Sequence, residues 1–364
     1  NKIAFIRFDE TNVPEFSMDV YGNGLYQTQQ VFKYPKAGEA NAVVSLHVYD
    51  LTSNSKNQVE VNKSYSDFYI PRIEWTNDGN ILSAQYTNRH QNELDLWMIN
   101  TKTNTTNLVL AETDKAYIDV TDNLTFLKDN SFIWTSEKDG YNHIYHYSEA
   151  GKLINQVTKG NWDVTNYYGY DEKNNKIFYQ SVENGSINRD VYSIKLNGRN
   201  KTRLTKNNGT NNASFSADFS YFINTFSSAK TPPEYSLNNS NSGNLIKSIK
   251  DNDVLSRNLS EYITSEKEFS TIQINGNNLN MWMIKPADFD TSKQYPLLMY
   301  QYSGTWSHQV ANKWNSSNDY WYQYLAQKGY IVACVDGRGT GFKGADFKKV
   351  TQKELGKYEV EDQI

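Results

Sequence analysis

Short runs of alternating apolar and polar residues fill the first two-thirds of the chain, and each run closes on a cluster of Asn, Asp, Gly, Ser or Thr. Alternation with a period of two places every second side chain on one face, which is the signature of a half-buried strand. One such strand, followed by a polar turn, recurs at Leu46 (LHVYDLTSN), Leu96 (LWMINTKTNTTNLVL), Ile144 (IYHYSEAGKLINQVT) and Val191 (VYSIKLNGRNKTRLT), with a weaker copy from Glu234. Successive starts lie 43 to 50 residues apart. Two further strand signals around a turn precede each copy, as in IEWTNDGNILSAQYT and YGYDEKNNKIFYQSVENG. The pairs Asp78-Gly79, Asp129-Asn130 and Asn174-Asn175 fit hairpin turns, because these residues tolerate positive φ.

Four short strands per repeat of this length is the unit of a β-propeller blade. An opening unit, from Ile3–Phe8 through to Asp50, reads as the same pattern with an insertion around Glu15–Ala40. That insertion reads equally as a loop at a domain interface or as solvated surface. The count is about five blades. Because Asn1-Lys2-Ile3-Ala4-Phe5 is strand-like from its first residues, an incomplete ring is expected rather than a closed five-bladed one.

From Glu268 the pattern changes. Phe269–Ile274 and Leu279–Ile284 alternate around Asn275-Gly276-Asn277-Asn278, a hairpin. A strand over Lys293–Tyr302 follows, then a helical stretch Asp319–Lys328 closed by Gly329, then the continuous apolar strand Tyr330–Val335. Strand, helix, strand with apolar runs is a βαβ unit whose sheet is covered on both faces. A final helix is expected over Gln352–Ile364. The expected architecture is therefore an all-β propeller over residues 1–264, followed by the truncated front of an α/β sheet domain over residues 265–364.

Composition sharpens this picture. Of 364 residues, 44 are Asn and 27 Tyr, which suits many short strands joined by tight turns and argues against disorder. With 37 basic and 41 acidic residues the net charge is −4, so there is no basic footprint for nucleic acid. No apolar run approaches the roughly 20 residues of a membrane-spanning helix. The single Cys334 lies inside an apolar run and reads as a buried, inert thiol. It excludes an internal disulfide framework and any CxxC site. His143 and His146 are three apart on a strand and point to opposite faces, while His47, His90 and His308 have no ligand-spaced companions. No metal and no cofactor are assigned. Gly337-Arg338-Gly339-Thr340-Gly341 has the spacing G-x-G-x-G, which suits a tight, closely packed turn better than a phosphate loop. Sequons such as Asn62-Lys63-Ser64 and Asn104-Thr105-Thr106 are what an Asn-, Ser- and Thr-rich chain produces by chance, and the charge-poor composition suggests a bacterial source.

Four separated stretches carry a resemblance: Lys293-x-Tyr295-Pro296-Leu297-Leu298, Tyr302-Ser303-Gly304, Val335-Asp336-Gly337-Arg338-Gly339-Thr340-Gly341, and Leu355-Gly356-x-Tyr358-Glu359-Val360-Glu361-Asp362-Gln363. Together with Tyr34-Pro35-Lys36-Ala37-Gly38 and Thr158–Val164 upstream, in the same order from end to end, they resemble the dipeptidyl peptidase IV branch of the prolyl oligopeptidase family. The family has a proline after the glycine of its Tyr-x-Gly motif, where this chain has Thr305.

The resemblance implies a serine peptidase whose α/β-hydrolase domain is capped by a propeller, with a Ser-Asp-His triad and the Ser on a G-x-S-x-G elbow. No such elbow occurs in this chain, whose first residue is not Met and whose last, Ile364, falls in mid-pattern. The family's elbow follows the Glu-Val-Glu-Asp-Gln segment, and its amine-gripping glutamates precede the equivalent of Asn1. The chain alone is thus expected to be inactive, as part of an enzyme releasing X-Pro or X-Ala dipeptides from short peptides. Tyr302 matches the family tyrosine whose hydroxyl helps form the oxyanion hole. Tripeptidyl and acylaminoacyl peptidases of the same family remain open, as does a non-catalytic propeller that only binds. The resemblance further implies a peptide substrate, homodimerisation, and a periplasmic, surface or secreted location.

Overall fold

The computed structural model describes residues 1–364. Its residues cluster into two compact units. The first unit is Asn1–Asp122 with Phe126–Ser131 and Ser148–Lys152, and the second is Asn123–Thr125, Phe132–Tyr147 and Leu153–Ile364.

In the first unit, β1 (Lys2–Asp9), β2 (Glu15–Val20), β3 (Thr28–Lys33), β4 (Val43–Asp50) and β5 (Ser55–Val59) form two sheets. One has the order β1-β4-β5 and the other is the β2-β3 hairpin. The expected insertion is therefore itself a hairpin, held by six residue pairs from Glu15↔Lys33 to Val20↔Thr28 and largely exposed. Next come β6 (Phe68–Trp75), β7 (Ile81–Asn88), β8 (Glu93–Asn100) and β9 (Thr105–Thr113), an antiparallel sheet in chain order. Leu46 and Val48 of β4 pack with Leu82, Ala84, Trp97 and Ile99 to form its core. Burying side chains of this size is worth about 1.5–3 kcal/mol each.

The second unit repeats the motif. Strands β10 (Thr125–Phe126), β11 (Phe132–Ser136), β12 (His143–Tyr147) and β13 (Leu153–Gln156) form one sheet. Strands β14 (Val164–Asp171), β15 (Lys176–Ser181), β16 (Asp190–Lys195) and β17 (Thr202–Arg203) form the next. A third consists of β18 (Thr210–Phe215), β19 (Tyr221–Ser227), β20 (Glu234–Asn239) and β21 (Leu245–Lys250). All three run in chain order, so the repeat seen in the sequence is a series of four-stranded meanders. Asn130 and Asn175 take up the positive φ expected of them, whereas Gly79 is not among the positive-φ residues and the 78–81 turn closes on Ile81 N–H donating to Asp78 O. The β20–β21 turn needs glycine at Gly243: φ is 73°, and a Cβ there would lie 2.1 Å from the Leu204 carbonyl oxygen.

A helix that the pattern does not announce, α1 (Asp253–Leu259), follows with no buried residue. The mixed sheet then comprises β22 (Lys267–Ile274), β23 (Asn277–Ile284), β24 (Leu297–Tyr300) and β25 (Ile331–Asp336), in the order β22-β23-β25-β24. β24 and β25 are parallel and joined by α2 (Ser317–Gln327), which confirms the βαβ unit and its stop at Gly329 (φ 86°). The β22–β23 turn is only Asn275-Gly276, both at positive φ, with Asn277 and Asn278 already in the strand. Trp282, Tyr322, Val332 and Cys334 form the core between α2 and the sheet. Burial raises the Cys334 thiol pKa, in keeping with an inert thiol.

Two expectations need correction here. The strand over Lys293–Tyr302 is reduced to Leu297–Tyr300, because Lys293 and Asp290 close a turn and β24 pairs only with β25, leaving Leu297, Leu298 and Met299 exposed. The helix expected over Gln352–Ile364 is shortened to α4 (Lys357–Gln363), starting at Gly356 where φ is 87°, and a further short helix, α3 (Ala345–Lys349), precedes it. No helix is long and apolar enough to cross a membrane.

Candidate functional site

Tyr302 sits two residues beyond β24, not at the end of a core strand, and it is 62% exposed. The loop that carries it leaves the carboxyl end of a parallel strand, the edge where α/β sheets bind ligands. Ser307 Oγ donates to the Tyr302 carbonyl oxygen at 2.6 Å, and Ser307 N–H donates to Gly304 O at 2.9 Å. Gly341 N–H donates to Ser307 O, tying the Tyr302 loop to the glycine-rich turn after β25. Two non-glycine residues beside it, Trp306 (φ 73°) and Phe342 (φ 70°), occupy the left-handed region. Such backbone costs about 1–3 kcal/mol per residue and persists only where the surroundings fix it.

Asp336, at the end of β25, anchors the far side of the loop. Its Oδ1 accepts from Gln309 N–H at 3.1 Å and its Oδ2 from Val310 N–H at 2.8 Å. Burial raises its pKa to about 6, partly offset by these two donors. His308 lies between Asp336 and Arg189: its Nε2 is 3.9 Å from Asp336 Oδ2, and its Nδ1 is 3.1 Å from Arg189 Nη2. Arg189 has only donors, so Nδ1 accepts and the neutral ring carries its proton on Nε2. Nε2 has no hydrogen-bond partner. Burial, then the positive charge of Arg189, hold the His308 pKa well below its ordinary value.

Arg189 comes from the turn before β16. Its Nη1 donates to Ser186 O and Asn188 O, and its guanidinium stacks over the Phe342 ring at 4.1 Å. Burial lowers its pKa to about 10. The same junction is fastened by Asn312 N–H to Ile187 O, by Thr210 Oγ1 to Asn312 O, and by Gly344 N–H to Asp163 Oδ2. Lys348 and Lys349 of α3 both pair with Glu137. Together these place Arg189, Tyr302, Trp306, His308, Lys313 and Phe342 around one open cavity of about 540 Å³. This size falls within the usual range for a small-ligand site.

The other residues singled out in the sequence have structural roles. His143 is buried, with Nδ1 3.1 Å from Thr158 Oγ1 and Nε2 2.9 Å from Gly160 O, which fixes the Thr158–Val164 segment. Arg338 binds Asp362 through its backbone N–H, Nε and Nη2, and stacks on Tyr358. The turn Gly337–Gly341 is thus packed against α4, and a Cβ on Gly337 would lie 3.0 Å from Asp362 Cβ. The cluster of Arg189, His308 and Asp336 was not foreseen. His308 stands alone in the sequence, and Arg189 is 119 residues away, so no local spacing betrays them.

Residues 1–233 match the family model of the dipeptidyl peptidase IV (DPP IV) N-terminal region, and residues 315–364 match the prolyl oligopeptidase family. A probable dipeptidyl-aminopeptidase B from Pyrenophora teres f. teres is 32% identical across the whole chain, which covers 43% of that protein. Dipeptidyl peptidase 4 from Trichophyton equinum is 28% identical, with 49% of it covered. The crystal structure of Porphyromonas gingivalis dipeptidyl peptidase 4 superposes with a TM-score of 0.93 at 42% identity, over all of this chain and 51% of that one. A putative dipeptidyl aminopeptidase IV from Bacteroides ovatus gives 0.84 at 25% identity, over all of this chain and 54% of that one. The chain spans about half the length of the relatives it matches. The run of four-stranded meanders ahead of a βαβ sheet, and the motifs on either side of Tyr302, thus have their explanation in descent: the chain belongs to the dipeptidyl peptidase IV family.

Proposed function

We propose that this chain is part of a serine peptidase that removes dipeptides from the N-terminus of short peptides, with X-Pro and X-Ala preferred. The observation that carries the reading is end-to-end similarity to Porphyromonas gingivalis dipeptidyl peptidase 4, with 42% identity over the whole chain. In this reading residues 1–264 are propeller blades and residues 265–364 the start of the α/β-hydrolase domain. A serine outside this chain attacks the scissile carbonyl, a histidine acts as its general base, and Tyr302 with a backbone N–H holds the oxyanion. The exposure of Tyr302 on a loop pinned by Ser307 and Asp336 supports that role. We carry a bacterial source, a periplasmic or surface location and a homodimer as parts of the same proposal.

The test is the full-length protein with Gly-Pro-p-nitroanilide. Release of nitroaniline, abolished by a fluorophosphonate, is the expected result. A folded full-length protein that leaves this substrate and Ala-Pro and Ala-Ala analogues intact would sink the reading, and favour a propeller that only binds. Sedimentation and cell fractionation test the dimer and the location.

A further inference from the structure

The cavity beside Tyr302 has an unusual charge pattern. Arg189 and Lys313 line it, and none of its lining residues is Asp or Glu. The carboxylates whose charge reaches Arg189 are Asp163 and Asp336, and both are turned to other partners. Asp336 accepts from the N–H groups of Gln309 and Val310, and Asp163 from those of Asn142 and Gly344. Arg189 itself is 8% exposed and is held by two carbonyls and by the His308 ring, with no carboxylate in contact. A buried guanidinium without a carboxylate is costly unless an anion offsets it. His308 lines the cavity as a neutral ring, its buried Nε2–H turned towards Asp336 Oδ2 at 3.9 Å. Exposed Lys313 stands near enough to lower the pKa of His308.

We propose that this cavity is a carboxylate subsite that receives the C-terminus of a short peptide whose scissile bond lies at Tyr302. The proposal rests on the peptidase reading above and adds a substrate class: free-acid peptides only one or two residues longer than the released dipeptide. An extended chain advances about 3.3–3.6 Å per residue, so only a short leaving segment ends within a cavity of this size. Guanidinium and ammonium groups recognise a carboxylate by charge-assisted hydrogen bonds. An amidated C-terminus offers no charge to either.

The experiment compares kcat/KM for Gly-Pro-Ala and Gly-Pro-Ala-amide, and for the pentapeptide pair Gly-Pro-Ala-Ala-Ala and its amide, in the full-length protein. The readout is the acid-to-amide ratio within one variant, so a general change in activity cancels. The expected ratio is about tenfold for the tripeptide pair and near one for the pentapeptide pair. Lys313→Met and, separately, Arg189→Lys are each expected to reduce the tripeptide ratio. Lys313 is exposed, so its variant does not depend on refolding a core. A tripeptide ratio near one in the unaltered protein overturns the subsite while leaving the peptidase standing. A tenfold ratio unmoved by either substitution overturns the assignment to these residues. Failure to cleave all four peptides overturns the peptidase reading and the subsite with it.

Discussion

Arg189 donates through Nη2 to Nδ1 of His308, 119 residues further along the chain, at 3.1 Å. The bond fixes a neutral imidazole in a place where burial and Arg189 both disfavour the imidazolium. The unfolded ring binds a proton near pH 6.5, and the folded ring binds one only at much lower pH. Stability is therefore lost as pH falls below 6.5, by up to about 2 kcal/mol between pH 7 and 5. Asp336 works in the opposite sense. Its folded pKa of about 6 lies above the ordinary 3.8, so the folded state takes up a proton first and gains stability over the same interval. That gain is on the order of 1 kcal/mol. The two nearly cancel. Urea unfolding of the His308→Gln variant should show stability rising from pH 7 to 5, and the Asp336→Asn variant should show it falling more steeply than the unaltered chain. Parallel pH profiles for all three would refute the coupling.

Tyr302→Phe tests the oxyanion role directly. The ring is largely solvent-exposed, so the variant should fold normally. In the full-length protein kcat should fall by about 10²–10³-fold, equivalent to 3–4 kcal/mol, with KM nearly unchanged. An unchanged kcat would remove Tyr302 from the mechanism.

Asp362 is 1% exposed and takes the whole Arg338 fork, while Arg338 Nη2 also reaches Glu361 Oε2 at 2.9 Å. Removing Asp362 leaves Arg338 on the half-exposed Glu361 alone, so the cost stays below the roughly 3–5 kcal/mol of a fully stranded buried charge. Asp362→Ala should therefore release α4 from the Gly337–Gly341 turn. Hydrogen exchange of residues 357–363 should accelerate, while exchange in β12 and β15 stays slow. Uniform acceleration across the chain would show that the pair does not act locally.

What the sequence disclosed depends on the range of the interaction concerned. The meanders were readable because each is held by neighbours in sequence and closes on turn residues, although the central strands carrying Leu82, Trp97 and Ile177 are buried on both faces and not on one. Helix α2 was readable from its span and from Gly329, a purely local stop. Helix α1 was not, since it buries nothing and leaves no apolar stripe. The strand at β24 was overextended because Tyr295 and Tyr302 look like strand residues, whereas Tyr295 instead receives the Asp290 N–H on its hydroxyl. The motif singles out Tyr302 as a candidate, but nothing local singles out the groups around it. Arg189, His308 and Asp336 meet only through tertiary packing, and none stands in a spacing that signals chemistry.

One meander packs on the next through the turn at Gly243. Gly243 and Gly276 have nearly the same backbone, with φ of 73° and 77°. Alanine in the left-handed region costs about 1–2 kcal/mol at either position. Their surroundings differ: a Cβ on Gly276 meets nothing within 4 Å, whereas one on Gly243 would meet the Leu204 carbonyl oxygen at 2.1 Å. Leu204 directly follows β17 and belongs to the buried cluster with Phe178 and Phe222, so its backbone has little freedom to yield. Gly243→Ala must push the β20–β21 turn away from the preceding sheet, and should destabilise the chain at least twice as much as Gly276→Ala. Thermal unfolding of the two variants side by side decides the matter. Equal shifts in Tm would mean that the turn is held by its own backbone alone and that the contact with Leu204 contributes nothing.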